Sequence, residues 1–180
     1  MTIEELKQLA LDCGFHHVGD LDADTIEMHV EARDACAENK CHSYGKNWNC
    51  PPGCGTLEEC SERVHSYKRG VIVETTGTME DAFDFECWEK LGKDHKVHFD
   101  KFAKEVRREF PGALVLGDGA CSNCKECTYP DAPCRHPDKA ISSVESYGLN
   151  VTDLTKMAGA DYAWSSGKMY NVGMIFYDRR

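Results

Sequence analysis

Apolar and polar positions alternate with two different periods along this chain, and the period changes mark its elements. Ile3, Leu6, Leu9, Ala10 and Cys13 fall at the three- and four-residue steps that line one face of a helix. Thr2 and Glu5 have the spacing of a capping box, and Gly14 suits the helix stop. Phe15 to Leu21 then reads as a strand, and Asp24 as the start of a second helix that delivers Cys36 and Cys41 to a loop. Thr56 and Glu59 form another capping box, which opens a helix with Cys60 in its first turns. Val71 to Thr75 is β-branched and short, the pattern of a buried strand. From Met79 to Phe110 the period is helical, with Val97, Phe102, Val106 and Phe110 on one side, Gly92 dividing it and Pro111-Gly112 ending it. Ala113 to Leu116 predicts an apolar strand that runs directly into a second cysteine-rich loop. A helix around Lys139 to Tyr147 stopping at Gly148, a helix from Thr152 to about Ala158, and a strand from Tyr170 to Tyr177 complete the chain.

Strands and helices in this order predict an α/β fold in which helices cover a small mixed sheet. The two cysteine-rich loops, at about 36–60 and 118–137, would follow the ends of regular elements. With 41% hydrophobic residues over 180 positions, the chain can bury one core and is expected to form a single domain, 1–180.

The second loop carries the strongest chemistry. Cys121, Cys124 and Cys127 step by three residues, and Cys134 follows within Cys134-Arg135-His136-Pro137. A Cys-x2-Cys-x2-Cys run with a more distant fourth Cys and a Pro is close to the ligand pattern of a 4Fe-4S cluster. Steps of three let one loop present three thiolates to three corners of a cubane while the fourth arrives from a later turn. Zinc, the alternative these residues leave open, more often takes two Cys-x2-Cys knuckles on separate turns. Gly117 and Gly119 give the backbone room to turn out of the strand.

Upstream, Cys36, Cys41, Cys50, Cys54 and Cys60 form a less regular group, stiffened by Gly45, Pro51, Pro52, Gly53 and Gly55. Cys36, Cys41 and Cys50 read as a ligand set for a second cluster. Cys54 is the expected fourth ligand, with Cys60 in reserve at a helix start, where backbone N–H groups favour an anionic cluster. Cys13 and Cys87 stand alone on predicted helices and read as small buried hydrophobes. Eleven cysteines is an odd count, and no secretory apolar region occurs in the first thirty residues. The chain therefore reads as cytoplasmic, where thiols stay reduced and disulfides are rare.

Two segments carry a family resemblance. Cys41-x2-Tyr44-Gly-Lys-Asn-Trp48-x-Cys50-Pro-Pro-Gly53 and Leu116-Gly-Asp-Gly-Ala-Cys121-x2-Cys124-x2-Cys127-Thr-Tyr-Pro-Asp-Ala-Pro-Cys134-Arg-His-Pro137 resemble a prokaryotic family of predicted metal-binding proteins of unknown function. The resemblance implies a cysteine-ligated metal centre, iron–sulfur in type, in proteins common among anaerobes; it supplies no substrate. Ala10 to Gly19 is also similar, over a short stretch, to the amino-terminal region of epoxyqueuosine reductases, which carry ferredoxin-like clusters.

Other functional classes fare less well. A net charge of −10 argues against nucleic acid, whose binding rests on clustered Lys and Arg. Lys68-Arg69 and Arg107-Arg108 read as solvated surface. No apolar run reaches the roughly 20 residues that span a bilayer. No His-Glu-x-x-His, Walker or dinucleotide fingerprint is present. His16 and His17 fit a half-buried strand pair, and His136 beside Cys134 could support a ligand from behind. Tyr44, Trp48 and Tyr129 border the cysteines and would shield them from water. The expectation is a protein with one or two 4Fe-4S clusters acting as an electron carrier or redox subunit for a partner protein, whose basic face an acidic chain would suit. Two alternatives stand beside it: a delivery protein for zinc, nickel or a labile cluster, and a reductase in which a cluster feeds a substrate bound in a polar cavity nearby.

Overall fold

The computed structural model describes residues 1–81, 83–160 and 167–179. Helix α1 (Ile3–Cys13) starts at Thr2, whose side chain and that of Glu5 complete the capping box, and stops at Gly14 with φ 111°. Strand β1 (His17–Asp22) follows, then a 3-10 turn at Ala23–Thr25. The helix predicted from Asp24 begins later and is shorter: α2 is Val30–Ala37. Asp24 is held instead by the Asp22 side chain, which accepts from its amide at 3.0 Å, an Asx-type turn that diverts the chain from a helix there. Cys36 therefore lies on α2, whereas Cys41 lies beyond it in a turn.

Helix α3 (Leu57–His65) has its capping box at Thr56 and Glu59, and it buries Cys60 and Val64. Strand β2 (Tyr67–Thr78) is longer than its β-branched heart suggests. It pairs antiparallel with β1 on one side and along its length with β5 (Lys168–Arg179) on the other, so neighbours extend it past Val71 to Thr75. Helix α4 (Phe85–Glu109) is continuous through Gly92, contrary to the predicted break. One interior Gly costs only about 1 kcal/mol relative to Ala, and α4 buries Leu91 just before Gly92 and five residues after it. The buried stripe is Leu91, His95, Phe99, Phe102, Ala103 and Val106; Val97, expected on it, is 66% exposed. Position 82, within the predicted helical stretch, lies outside the described residues.

Strand β3 (Leu114–Gly117) leads into the second cysteine loop as expected. The helix expected around 139–147 is absent. Ser142–Ser143 forms β4, parallel to the end of β3, and a 3-10 turn spans Glu145–Tyr147 before left-handed Gly148. Ser143 disfavours helix here by capping: its hydroxyl accepts from the Ser146 amide at 3.1 Å. Helix α5 (Val151–Met157) is capped by Asn150.

The strands form one mixed sheet in the order β1-β2-β5-β3-β4, antiparallel except at β3–β4. Both faces are covered, which explains the continuous apolar runs in β2 and β5. Val71, Val73, Ile175 and Tyr177 pack with α1 and α4, and Ile72, Met174 and Phe176 pack with Cys60 and Val64 of α3 and Leu154 of α5. Gly173 in β5 gives the Phe99 ring its seat, since a Cβ there would lie 2.2 Å from the ring. No helix among the described residues is long and apolar enough to cross a membrane.

Candidate metal centre

Two loops reach one end of the sheet from different parts of the chain and pack together. Trp48 of the first and Tyr129 of the second meet edge to face, centroids 4.9 Å apart, and the Trp48 indole N–H donates to the Ala132 carbonyl at 3.0 Å. Ser142 of β4 also reaches Asn49, at 3.4 Å. An edge-to-face pair contributes about 1 kcal/mol beyond its buried area, and a neutral hydrogen bond about 1 more. Trp48→Ala should thus loosen the contact by about 2 kcal/mol, and loss of bound metal to a chelator should quicken roughly tenfold or more, since about 1.4 kcal/mol is tenfold. Trp48→Phe, keeping the ring, should show a smaller acceleration; equal rates in all three proteins would refute the coupling.

Within the first loop the turn residues act on the cysteines directly. Gly45 donates to the Pro51 carbonyl at 2.8 Å, and the Cys54 amide to that of Cys50 at 3.1 Å. Cys50 is 6% exposed, and the Asn47 side chain hydrogen-bonds its sulfur. Burial pushes the Cys50 thiol up, and so do the neighbouring Cys41, Cys54 and Cys121 sulfurs. Burial raises Cys36 to about 11, with Glu145, Cys50 and Cys41 adding to it. Cys36, Cys41, Cys50 and Cys54, with Cys121 of the second loop, are thus near enough for neighbouring sulfurs to disfavour one another's ionisation. Thiols that repel one another as thiolates in a buried setting fit a soft cation, because the metal charge offsets both penalties.

The second loop is irregular but tied. Arg135, next to Cys134, donates to the Glu126 carbonyl, next to Cys127, at 2.8 Å. Thr128 reaches the Pro133 carbonyl at 2.9 Å, and the Asn123 side chain reaches Lys139 at 2.8 Å. These bonds fold Cys134 back toward the stepped run. Cys121, Cys124, Cys127 and Cys134 are all half-buried. Among the described residues, no three of His, Cys, Asp and Glu close on a single ion.

The site lies within the stretch matched by one family model, residues 19–177. The chain belongs to the predicted metal-binding protein family DUF2284. Neither a curated protein nor a solved structure matches it. The family match takes in both cysteine loops and the residues that support them.

Cys54, expected as fourth ligand of the first loop, is as buried as Cys50, neighbours it, and also meets Cys60. The Arg33 guanidinium donates from one nitrogen to both sulfurs, at 3.4 Å to Cys54 and 3.7 Å to Cys60, and also to the Ser146 and Gly55 carbonyls, each at 2.6 Å. The Cys60 thiol hydrogen-bonds the Cys54 sulfur, which with Arg33 lowers the Cys54 pKa to about 6; Cys60 moves the other way, having the thiolate as its neighbour. Cys13 is core, and Cys87 donates to the Thr78 carbonyl at 3.4 Å. His16 and His17 are structural: His16 Nδ1 accepts from the Thr76 amide at 2.9 Å, and His17 Nε2 lies 3.3 Å from the Ala158 carbonyl.

Sequence reasoning assigned no role to Arg33, Asn47, Asp118 and Glu145. Asp118 was the most legible of these, an acid between two glycines at a strand end. A cavity of about 150 Å3 lies between α4 and the second loop, lined among others by His95, Lys96, Phe99, Asp118, Cys121 and Asn123. That volume equals a cavity able to hold benzene. Asp118 also borders a second hollow of about 410 Å3, with Trp88, Glu145, Tyr170 and Asn171. Asp118 and Glu145 reach water yet stand in crowded walls, and loss of hydration raises both carboxyl pKa values. The Asn171 amide donates to Asp118 and counters part of that rise.

His95 is 2% exposed, with Nδ1 2.9 Å from the Thr75 hydroxyl and no hydrogen-bond partner for Nε2 among the described residues. Burial, with His98 nearby, lowers its pKa from 6.5 to about 4. A histidine depressed in the folded state is neutral there while the unfolded chain takes up a proton, so stability is full above pH 6.5 and falls toward pH 4. The linkage amounts to about 3 kcal/mol over that window. His95→Phe should flatten the profile between pH 4 and 6.5 in chemical denaturation; an unchanged slope would refute the assignment.

Proposed function

We propose that this chain is an iron–sulfur protein that binds a 4Fe-4S cluster through Cys121, Cys124, Cys127 and Cys134, and a second through Cys36, Cys41 and Cys50 of the first loop, and that it works in electron transfer as a carrier or redox subunit. The observation that carries the reading is the stepped cysteine run on a loop springing from β3, whose course the Arg135–Glu126 bond ties back between the neighbours of Cys134 and Cys127. A bound cluster would supply one-electron uptake and release. The protein's part is to position and shield. Strand β3 anchors the loop, Trp48 and Tyr129 cover the junction, and the closeness of Cys50 to Cys121 sets the two ligand groups side by side. Asn47 at the Cys50 sulfur is the kind of outer hydrogen bond that tunes a centre's potential.

A second reading, a cluster-dependent reductase, is favoured by the cavity beside Cys121, because a carrier has no use for polar groups converging on a hollow next to its metal loop. Protein made and purified without oxygen should be brown, with iron and acid-labile sulfide in about equal amounts and a paramagnetic signal on one-electron reduction. Stoichiometric zinc without sulfide would overturn the proposal and restore a structural or delivery role. With iron present, reversible electron exchange with a basic partner, slowing as salt rises, supports the carrier.

A further inference from the structure

Cys54 and Cys60 are separated by the N-terminal turn of α3, and the fold brings them together in the buried layer beneath the first loop. Cys54 is 6% and Cys60 0% exposed. Their sulfurs share one guanidinium nitrogen of Arg33, the Cys54 sulfur lies 3.6 Å from the Ser146 carbonyl, and the Cys60 sulfur lies 3.7 Å from the Cys54 carbonyl. Arg63 holds the same carbonyl at 3.4 Å and donates to the Tyr147 hydroxyl, with its guanidinium also 5.4 Å above the Tyr147 ring. The Cys60 thiol hydrogen-bonds the Cys54 sulfur and one cationic donor, Arg33, is fixed against both, an arrangement suited to exchange between a thiolate and a disulfide. The Arg33 guanidinium against both sulfurs stabilises an attacking or departing thiolate.

We propose that Cys54 and Cys60 form a dithiol–disulfide couple that exchanges two electrons with a low-molecular-weight disulfide. The Cys54 thiolate attacks one sulfur of the external disulfide, breaking its S–S bond, forming a mixed disulfide and releasing the first small thiolate, which takes up a proton. Cys60 attacks the Cys54 sulfur of the mixed disulfide, forming the Cys54–Cys60 bond, and its thiol proton passes to the second small thiolate as that group leaves. Two protein thiols are oxidised and one external disulfide is reduced to two thiols, and the reverse sequence uses the same atoms. The couple does not depend on which metal the neighbouring cysteines hold.

The test uses the full chain with its metal in place, equilibrated without oxygen in graded mixtures of bis(2-hydroxyethyl) disulfide and 2-mercaptoethanol, quenched in acid, alkylated under denaturing conditions and mapped by mass spectrometry. The expected result is a cross-linked pair of peptides containing Cys54 and Cys60 in the oxidising mixtures, lost again in the reducing ones, with metal content unchanged. Cys60→Ala should instead accumulate the 2-mercaptoethanol adduct on Cys54, and Cys54→Ala should abolish both products. If Cys60→Ala does not fold, by circular dichroism, Cys60→Ser serves the same purpose. Three results would overturn the proposal: both thiols free at every ratio while Cys87 takes up the reagent, Cys54 cross-linked to another cysteine, or metal released in step with the cross-link, which would make Cys54 a ligand. Zinc or no metal in the same samples would sink the cluster reading and leave this one standing.

Discussion

Protein carrying Cys124→Ser and Cys127→Ser together, prepared without oxygen, is expected to lose about four irons per chain and the matching sulfide. The effect is large because a cubane that loses two of four thiolates keeps no chelate. The stepped run holds Cys124 and Cys127 on a loop stitched by Arg135, Thr128 and Asn123 rather than by the cysteines themselves, so the loop should keep its course. Both cysteines are only half-buried, and surface changes of this kind usually cost within about 0.5 kcal/mol in a metal-free fold. Iron from the first loop should remain, and Cys50→Ser should remove that second set and spare the first. Elemental analysis of the variants beside the parent decides the matter. Undiminished iron in the double variant would take the cluster off the second loop. Loss of all metal in either variant would mean that the Cys50 and Cys121 groups, which stand beside each other, serve one shared centre.

Phe102→Ala should destabilise the fold by about 4 kcal/mol. Phe102 is fully buried on α4, its ring meets Phe15 edge to face at 5.7 Å, and it lies in the cluster that joins α1, α4 and the sheet. Removing the ring leaves a cavity that the surrounding Val71, Val106 and Ile175 cannot fill without leaving their own contacts. For a chain of this length the melting temperature of the metal-free protein should fall by roughly 10 °C. Val97→Ala, on the same helix but facing water, is the control and should change it little. A fall below about 1 kcal/mol in Phe102→Ala would show that α4 is not the clamp on this face. Because α4 also supplies His95 and Phe99 to the cavity beside Cys121, any loosening should be visible there as well.

Local chemistry made several elements legible. Thr2 with Glu5, and Thr56 with Glu59, announce helix starts because the reciprocal side-chain bonds need only four consecutive residues. Gly14 and Gly148 announce stops because few other residues accept their left-handed backbone. The run Cys121, Cys124, Cys127 marks a candidate thiolate site because its three-residue steps set three sulfurs on one loop. The α/β class with a small mixed sheet also follows from the alternation of periods.

What local chemistry does not contain is who stands opposite. Gly92 reads as a break, but helix α4 passes through it because packing on both sides outweighs one weak helix former. Lys139 to Tyr147 reads as a helix, but residues 142–143 find the free edge of β3 and the Ser143 cap settles a 3-10 turn after them. Arg33 looks like any surface position of a short helix until folding sets it against Cys54 and Cys60, about 70 Å of extended chain from Arg33 to Cys54 reduced to a hydrogen bond. The same holds for the approach of Cys121 to Cys50 and for Asp118 facing Asn171. The sequence by itself determined which residues could carry a metal and where helices begin and end, since those depend on neighbours along the chain. The tertiary structure decided which thiols lie near one another, which of them meet an arginine, and that a polar cavity lies beside Cys121, because burial, charge and contact between distant segments exist only once the sheet has brought them together.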